Sequence, residues 1–168
     1  MDSEINSKSY WDNRFESDWA EASGREQTTF FCELAVRHMP MWLKRAIREE
    51  NLTVCDWGCA EGDGTRILAE ALAPAQVIGV DFSDAAIRKA SEHYPGVEFR
   101  AADYLDDHVA PDDKFDVVFT SNTLEHFDDP FGVLQKLTPR IGQWLVMLVP
   151  YREYERISEH ERSEEHTS

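Results

Sequence analysis

The sequence predicts an α/β protein built on one parallel sheet, on three observations. Short apolar runs near residues 53–57, 76–80, 97–101, 115–120 and 143–149 alternate with amphipathic segments, the rhythm of strand-helix units whose strands are covered on both faces. The first three runs each lead to an acid, Asp56, Asp81 and Asp103, one strand-helix unit apart each time. A glycine-rich turn, GCAEGDG, follows directly on the first run.

From Ser7 to about Glu50 the pattern is helical. Tyr10, Trp11, Phe15 and Trp19 form an aromatic stretch, Gly24 marks a break, and a longer helix starts near Glu26. Pro40 interrupts that helix, because proline lacks the amide that a helix interior needs, and MWLKRAIREE resumes it with one apolar and one charged face. After LTVCDW come TRILAEAL, QVIGVD, DAAIRKASEHY, VEFRAAD, FDVVFTS, PFGVLQKLT and QWLVMLVP. Ser83 is placed to cap the helix DAAIRKA, and Pro74, Pro95 and Pro139 stand where helices should stop. The expected plan is an N-terminal helical cap over 1–50, an α/β core over 51–161 and a tail over 162–168. The tail, RSEEHTS, reads as the in-frame translation of a common sequencing-library adapter. It is expected to be no part of the natural protein, which would then continue past about Glu161.

Composition narrows the function classes. At 168 residues and 42% hydrophobic the chain suffices for one domain with one core. No run approaches the roughly 18 apolar residues of a membrane span, and MDSEINSKSYW has no signal-peptide core, so a cytoplasmic location is expected. A net charge of −16 argues against nucleic acid as a partner, since phosphate contacts need a basic footprint. Cys32, Cys55 and Cys59 are odd in number and lack histidines at ligand spacing. They read as buried thiols, with neither a metal site nor a disulfide expected.

The three strand-end acids should emerge along one edge of a parallel sheet, where open α/β folds bind ligands. The glycines of the turn are spaced GxxxGxG, whereas a dinucleotide turn wants GxGxxG and a P-loop wants GK[ST]. Glu61 and Asp63 would place negative charge beside any bound phosphate. A cofactor without phosphate and with some positive charge fits better, and S-adenosylmethionine, a sulfonium with an ammonium, is such a molecule. Asp81 would accept the ribose hydroxyls and Asp103 the adenine amine, with Phe82 or Tyr104 against the ring and Asp106 and Asp107 left as solvated loop acids.

VCDWGCAEGDGT resembles motif I of the class I S-adenosylmethionine-dependent methyltransferases, VIGVDFSDAAIRKA their second motif, VEFRAADY their adenine-contact segment and FDVVFTSNTLEHFDDP their fourth motif. YWDNRF with GREQTTFF is similar to the N-terminal helices of small-molecule methyltransferases of bacterial surface-sugar or lipid-like metabolites. The resemblance implies a Rossmann-like doubly wound sheet of order 3-2-1-4-5-7-6. Five strands are present here, in order 3-2-1-4-5, with the family's last two missing. QWLVMLVP would then be an unpaired apolar edge, and the fragment 1–161 is expected to aggregate.

It also implies a cofactor set: Asp56, as contact or as strand-end cap; Gly58, where a side chain would collide with the methionine moiety; and Cys59, Ala60 and Gly62 of the turn, where Gly62 and Gly64 serve either contact or turn shape and packing. Ala60 stands where a glycine is commoner, tolerable if its φ is negative. Ser121 and Asn122, with Thr123, should line the methionine side, and Tyr10, Trp11 and Arg14 should close over the cofactor, Arg14 pairing its carboxylate. Glu125 and His126 are the catalytic candidates, His126 as general base or as a residue that shapes the pocket. The implied activity is in-line methyl transfer to a small-molecule acceptor. The alternatives are a nicotinamide-dependent oxidoreductase or epimerase, or a non-methylating S-adenosylmethionine-binding relative.

Overall fold

The computed structural model describes residues 5–106 and 113–150; Asp107, the end of the expected core and the tail 162–168 lie outside them. Three helices come first, α1 (Lys8–Ser17), α2 (Gly24–His38) and α3 (Met41–Glu49). There follow β1 (Thr53–Trp57), α4 (Asp63–Leu72), β2 (Gln76–Asp81), α5 (Asp84–His93), β3 (Glu98–Ala101), β4 (Phe115–Ser121), α6 (Pro130–Leu137) and β5 (Ile141–Leu148). The strands form one sheet in the order β3-β2-β1-β4-β5, and all four pairings are parallel. This is a Rossmann-like doubly wound sheet.

Local chemistry sets the boundaries. The Ser7 hydroxyl accepts from the Tyr10 amide at 3.2 Å, Ser83 from Ala86 at 3.1 Å, and Asp129 from Gly132 at 3.0 Å. Each cap satisfies an amide that the helix start would leave unpaired. Pro40 sits between α2 and α3 with φ −54° and opens the second of them.

Two apolar layers cover the sheet. On one face α2, α3 and α4 bury Ala35, Leu43, Ile47, Leu68 and Leu72 against Val54, Val117 and Phe119. On the other, Leu124, Val133 and Leu137 meet Cys55, Trp57, Ile78 and Val118. Each fully buried aliphatic side chain contributes about 1.5–3 kcal/mol over its exposed state, so the two layers hold the strand ends in register. A third, smaller cluster joins Trp11 and Phe15 of α1 to Ala60, Ala85 and Ala86. It seats α1 over the turn after β1 and the start of α5. α2 and α3 belong to the main core with α4, α2 also meeting the 61–64 side of the glycine turn, while α1 lies over its Ala60 side.

Candidate functional site

Parallel strands bring their C-terminal ends to one edge, and the segments leaving those ends surround a cavity of about 340 Å³. The turn after β1 contributes Trp57, Gly58 and Ala60, and the end of β2 contributes Asp81 and Phe82. Ala102, Asp103 and Leu105 follow β3, and Asn122, Thr123, His126 and Phe127 follow β4. Lys8, Trp11 and Phe15 close it from α1, and Trp19 from the turn just beyond that helix.

The turn's amides show what it is built for. Gly58 and Cys59 both donate to the Val80 carbonyl, at 2.8 and 3.1 Å, and Gly62 donates to the Cys59 carbonyl at 3.0 Å. The Ala60 amide donates to Asp81 Oδ2 at 3.0 Å. A phosphate-binding loop keeps such donors for its anion; here four of them are spent on β2 and on the turn itself. Gly58 has φ +78° and a Cβ on it would lie 2.5 Å from Thr123 Oγ1, while Gly62 has φ +85° and its Cβ would meet Phe99 Cζ at 2.6 Å. Gly58 therefore keeps space at the cavity, and Gly62 lets the turn pack on β3. Ala60 has φ +50°, which corrects the expectation of a negative φ: alanine occupies the left-handed region, and its methyl is held in the α1 cluster.

The acids of the turn are engaged by the protein's own cations and donors. Glu61 is 2% exposed and faces Lys89 at 3.1 Å, Arg25 at 3.7 Å and His93 at 3.8 Å. Asp63 is gripped by the Arg25 guanidinium at 2.8 Å and by the Tyr94 hydroxyl at 2.6 Å. Their charge is answered inside the protein, between α2 and α5, and does not make the turn an acidic lure. What disfavours phosphate is the commitment of the amides.

Asp81 is the acid at the cavity. Its Oδ1 accepts from the Ser83 amide at 2.9 Å and its Oδ2 from Ala60, which leaves lone pairs on both oxygens for further donors. Burial pushes it up to about 6, with the two amides opposing. Asp56 lies elsewhere. Side chains alternate along a strand, so Asp56 shares the α4 face with Val54 and accepts from Thr65 Oγ1 at 2.6 Å, buried away from the cavity. Burial lifts it to about 7, the Thr65 hydrogen bond opposing.

Asp103 lies two residues beyond β3, lines the cavity and accepts from the Leu105 amide at 2.9 Å. Phe82 lines the cavity as well. Tyr104 does not: in the turn that follows β3 it is buried among core side chains, with the Arg140 guanidinium 3.9 Å from its ring centroid. Cys59 is buried with its thiol on the Ala60 carbonyl at 3.7 Å. Asn122, at φ +52°, lines the cavity, while the Ser121 hydroxyl donates to Asn122 Oδ1 at 3.3 Å outside it.

On α1, Trp11 lines the cavity. Tyr10 packs edge-on against Trp11 at 5.6 Å, and Arg14 pairs with Asp18 at 2.6 Å. His126 reaches the cavity with its ring edge-on to Trp11 at 5.0 Å. Glu125 is buried beside it in a short 3-10 turn, Leu124–His126. Sequence reasoning missed Lys8, Trp57, Leu105 and Phe127 as lining residues. Trp57 was accessible to it, since strand parity sets it opposite Asp56; it stacks on Phe127 with ring planes 16° apart.

A parallel α/β sheet with a phosphate-averse turn, and carboxylates beside an aromatic lid, defines a class of nucleoside-cofactor protein. Residues 48–156 match the methyltransferase domain family, and the chain belongs to that family. It is similar to trans-aconitate 2-methyltransferase of Acidovorax sp. (strain JS42), 33% identical over 84 residues that make up 50% of this chain and 32% of the relative. The enzyme of the same name from Azoarcus sp. (strain BH72) is 33% identical over 95 residues, 56% of this chain and 37% of the relative. Among solved structures, the plantazolicin methyltransferase BpumL in complex with SAH superposes with a TM-score of 0.57 at 20% identity, over 80% of this chain and 54% of that one. The PH0226 protein of Pyrococcus horikoshii OT3 gives 0.51 at 26% identity, over 66% and 51%. The chain thus spans about a third of the length of these curated relatives. Among the described residues no helix is long and apolar enough to cross a membrane.

Proposed function

We propose that this chain is the cofactor-binding part of an S-adenosylmethionine-dependent methyltransferase with a small-molecule acceptor. The observation that carries the reading is Asp81: a carboxylate at the cavity, held by two backbone amides, each oxygen able to take one more donor. That is the acceptor a ribose diol needs. Phe82 and Leu105 offer apolar surface to an adenine ring, and Asp103 an acceptor for its exocyclic amine. Thr123 and Asn122 flank the amino-acid end. S-adenosylmethionine would supply a methyl group on a sulfonium, and the SAH held by the BpumL neighbour is the demethylated product of that cofactor.

Because a sulfonium would leave as a neutral thioether, the task of this chain's residues would mainly be alignment, an effect that reaches roughly 7 to 11 kcal/mol for well-placed reactants. Trp11, Phe15 and Trp19 exclude water from the cavity. His126, on the edge of Trp11, shapes the acceptor side, and with Glu125 next to it takes a proton where the acceptor is a hydroxyl or an ammonium. A small acceptor is supported by the net charge of −16, which repels nucleic acid, and by relatives named for trans-aconitate.

Calorimetry tests the reading. S-adenosylhomocysteine should bind with micromolar-range affinity and raise the melting temperature, NADH should do neither, and Asp81→Asn should weaken binding at least about tenfold by removing a charged acceptor. Stabilisation by NADH instead would establish the nicotinamide alternative.

A further inference from the structure

We propose that Lys89 is a positioning residue that ties the α1 lid to the glycine-rich turn, so that seating the lid and ordering the cofactor floor are one event. The proposal rests on the reading of the cavity as an S-adenosylmethionine site. Lys89 projects from α5 and donates from one ammonium to two places: the Phe15 carbonyl, in the last turn of α1, and Glu61 Oε1 at 3.1 Å. The last carbonyls of a helix have no partner within it, and a cation there also opposes the negative end of the helix dipole. Glu61 is the residue between Ala60, whose amide holds Asp81, and Gly62, the left-handed residue that opens α4. A shift of Glu61 is therefore passed to the carboxylate at the cavity.

The link is of a different kind from the other ion pairs between α1 and α5 among the described residues. Lys8–Asp84 and Glu16–Arg88 pair side chains that are about half exposed or more, and such surface pairs are worth little. Lys89 is 24% exposed and its carboxylate partner 2%, so its ion pair is shielded. Phe15, whose carbonyl it holds, is itself a cavity wall. Arg25 and His93 also face Glu61, both through Oε2, from α2 and from α5. Lys89 takes the other oxygen and joins it to the lid.

The test compares Lys89→Met with Arg88→Gln, which removes an exposed α1–α5 pair and leaves the turn untouched. Amide hydrogen exchange is read without cofactor, and S-adenosylhomocysteine affinity by calorimetry. Lys89→Met is expected to speed exchange together in α1 and in residues 58–62 and to weaken binding about tenfold. Arg88→Gln is expected to affect α1 alone and to leave affinity within about twofold. Lys89→Arg, which keeps the charge and its donors, should restore both readouts. Lys89→Gln, which loses the charge but keeps a polar side chain, replaces Lys89→Met if that variant unfolds, since Glu61→Gln would also release Arg25 and His93. The proposal is overturned if exchange in the turn is unchanged in Lys89→Met, or if Arg88→Gln weakens binding equally. If the exchange pattern appears but wild-type protein binds no S-adenosylhomocysteine, the link stands and the assigned function fails.

Discussion

Gly62 and Gly64 sit two positions apart in the turn, yet substitution should treat them oppositely. Alanine at 62 would be forced into the left-handed region, φ +85°, and against Phe99 and Ala90. Gly62→Ala should cost about 2 kcal/mol, from backbone strain of roughly 1–2 kcal/mol plus the repacking of Phe99. At 64 the backbone is helical and the nearest atom to a new Cβ is Asp56 Oδ2 at 3.4 Å, so Gly64→Ala should be neutral or stabilise by up to about 1 kcal/mol. Urea denaturation of both variants checks the contrast. Which glycine is essential was not legible in GCAEGDG, because the spacing gives neither the sign of φ nor the neighbour above each Cα.

The buried acids make a second prediction at this scale. Asp56 is raised to about 7 and Asp81 to about 6, both by desolvation, so the folded state holds their protons more tightly than the unfolded chain does. The stability they confer is full below their ordinary value of 3.8 and is lost as pH rises through 6 to 7. Melting temperatures of cofactor-free protein should therefore fall over that window, and Asp56→Asn should flatten the slope. Cofactor affinity should run the other way. On the proposed reading, in which the Asp81 carboxylate accepts the ribose hydroxyls, binding of S-adenosylhomocysteine should weaken as pH drops through about 6.

At the scale of elements, α1 is the piece set apart. It shares a small cluster with the turn and the start of α5 and takes no part in either main layer of the core. Its middle is fixed by Asp12, whose Oδ1 accepts from Ser83 Oγ at 2.6 Å and from the Ala85 amide at 3.4 Å. A carboxylate at the first turn of α5 completes that helix's cap. Asp12→Ala should cost about 1 kcal/mol and, on the proposed reading, weaken S-adenosylhomocysteine binding, a loss that calorimetry would show. Helix α1 could be read from its periodicity. That it closes over a cavity came only from the family resemblance and not from its own pattern, since the residues it meets are some 70 positions away.

Taken whole, the sheet has two edge strands among the described residues, and of these β5 carries the large exposed apolar side chains. Among the described residues β5 pairs only with β4, and Trp144 and Met147 on it are exposed, Trp144 edge-on to an exposed Trp42 at 5.0 Å. Apolar side chains on a half-paired strand favour association. Replacing Trp144 and Met147 by lysine should lower the self-association of this chain, as light scattering against concentration would show, without changing its circular dichroism.

By itself the sequence determined the strand-helix alternation, the parallel sheet and the edge at which a ligand would bind, because periodicity and turn residues act locally and recur at fixed spacing. It also singled out Asp81, Asp103 and the segment after β4. Only the tertiary structure decided which charges serve the site. Glu61 and Asp63 are answered by Arg25, Lys89 and Tyr94 on neighbouring helices, Asp56 is turned into the α4 layer, and Tyr104 into the core. A carboxylate's role depends on the cation or donor that meets it, and those partners come from elements far away in the chain.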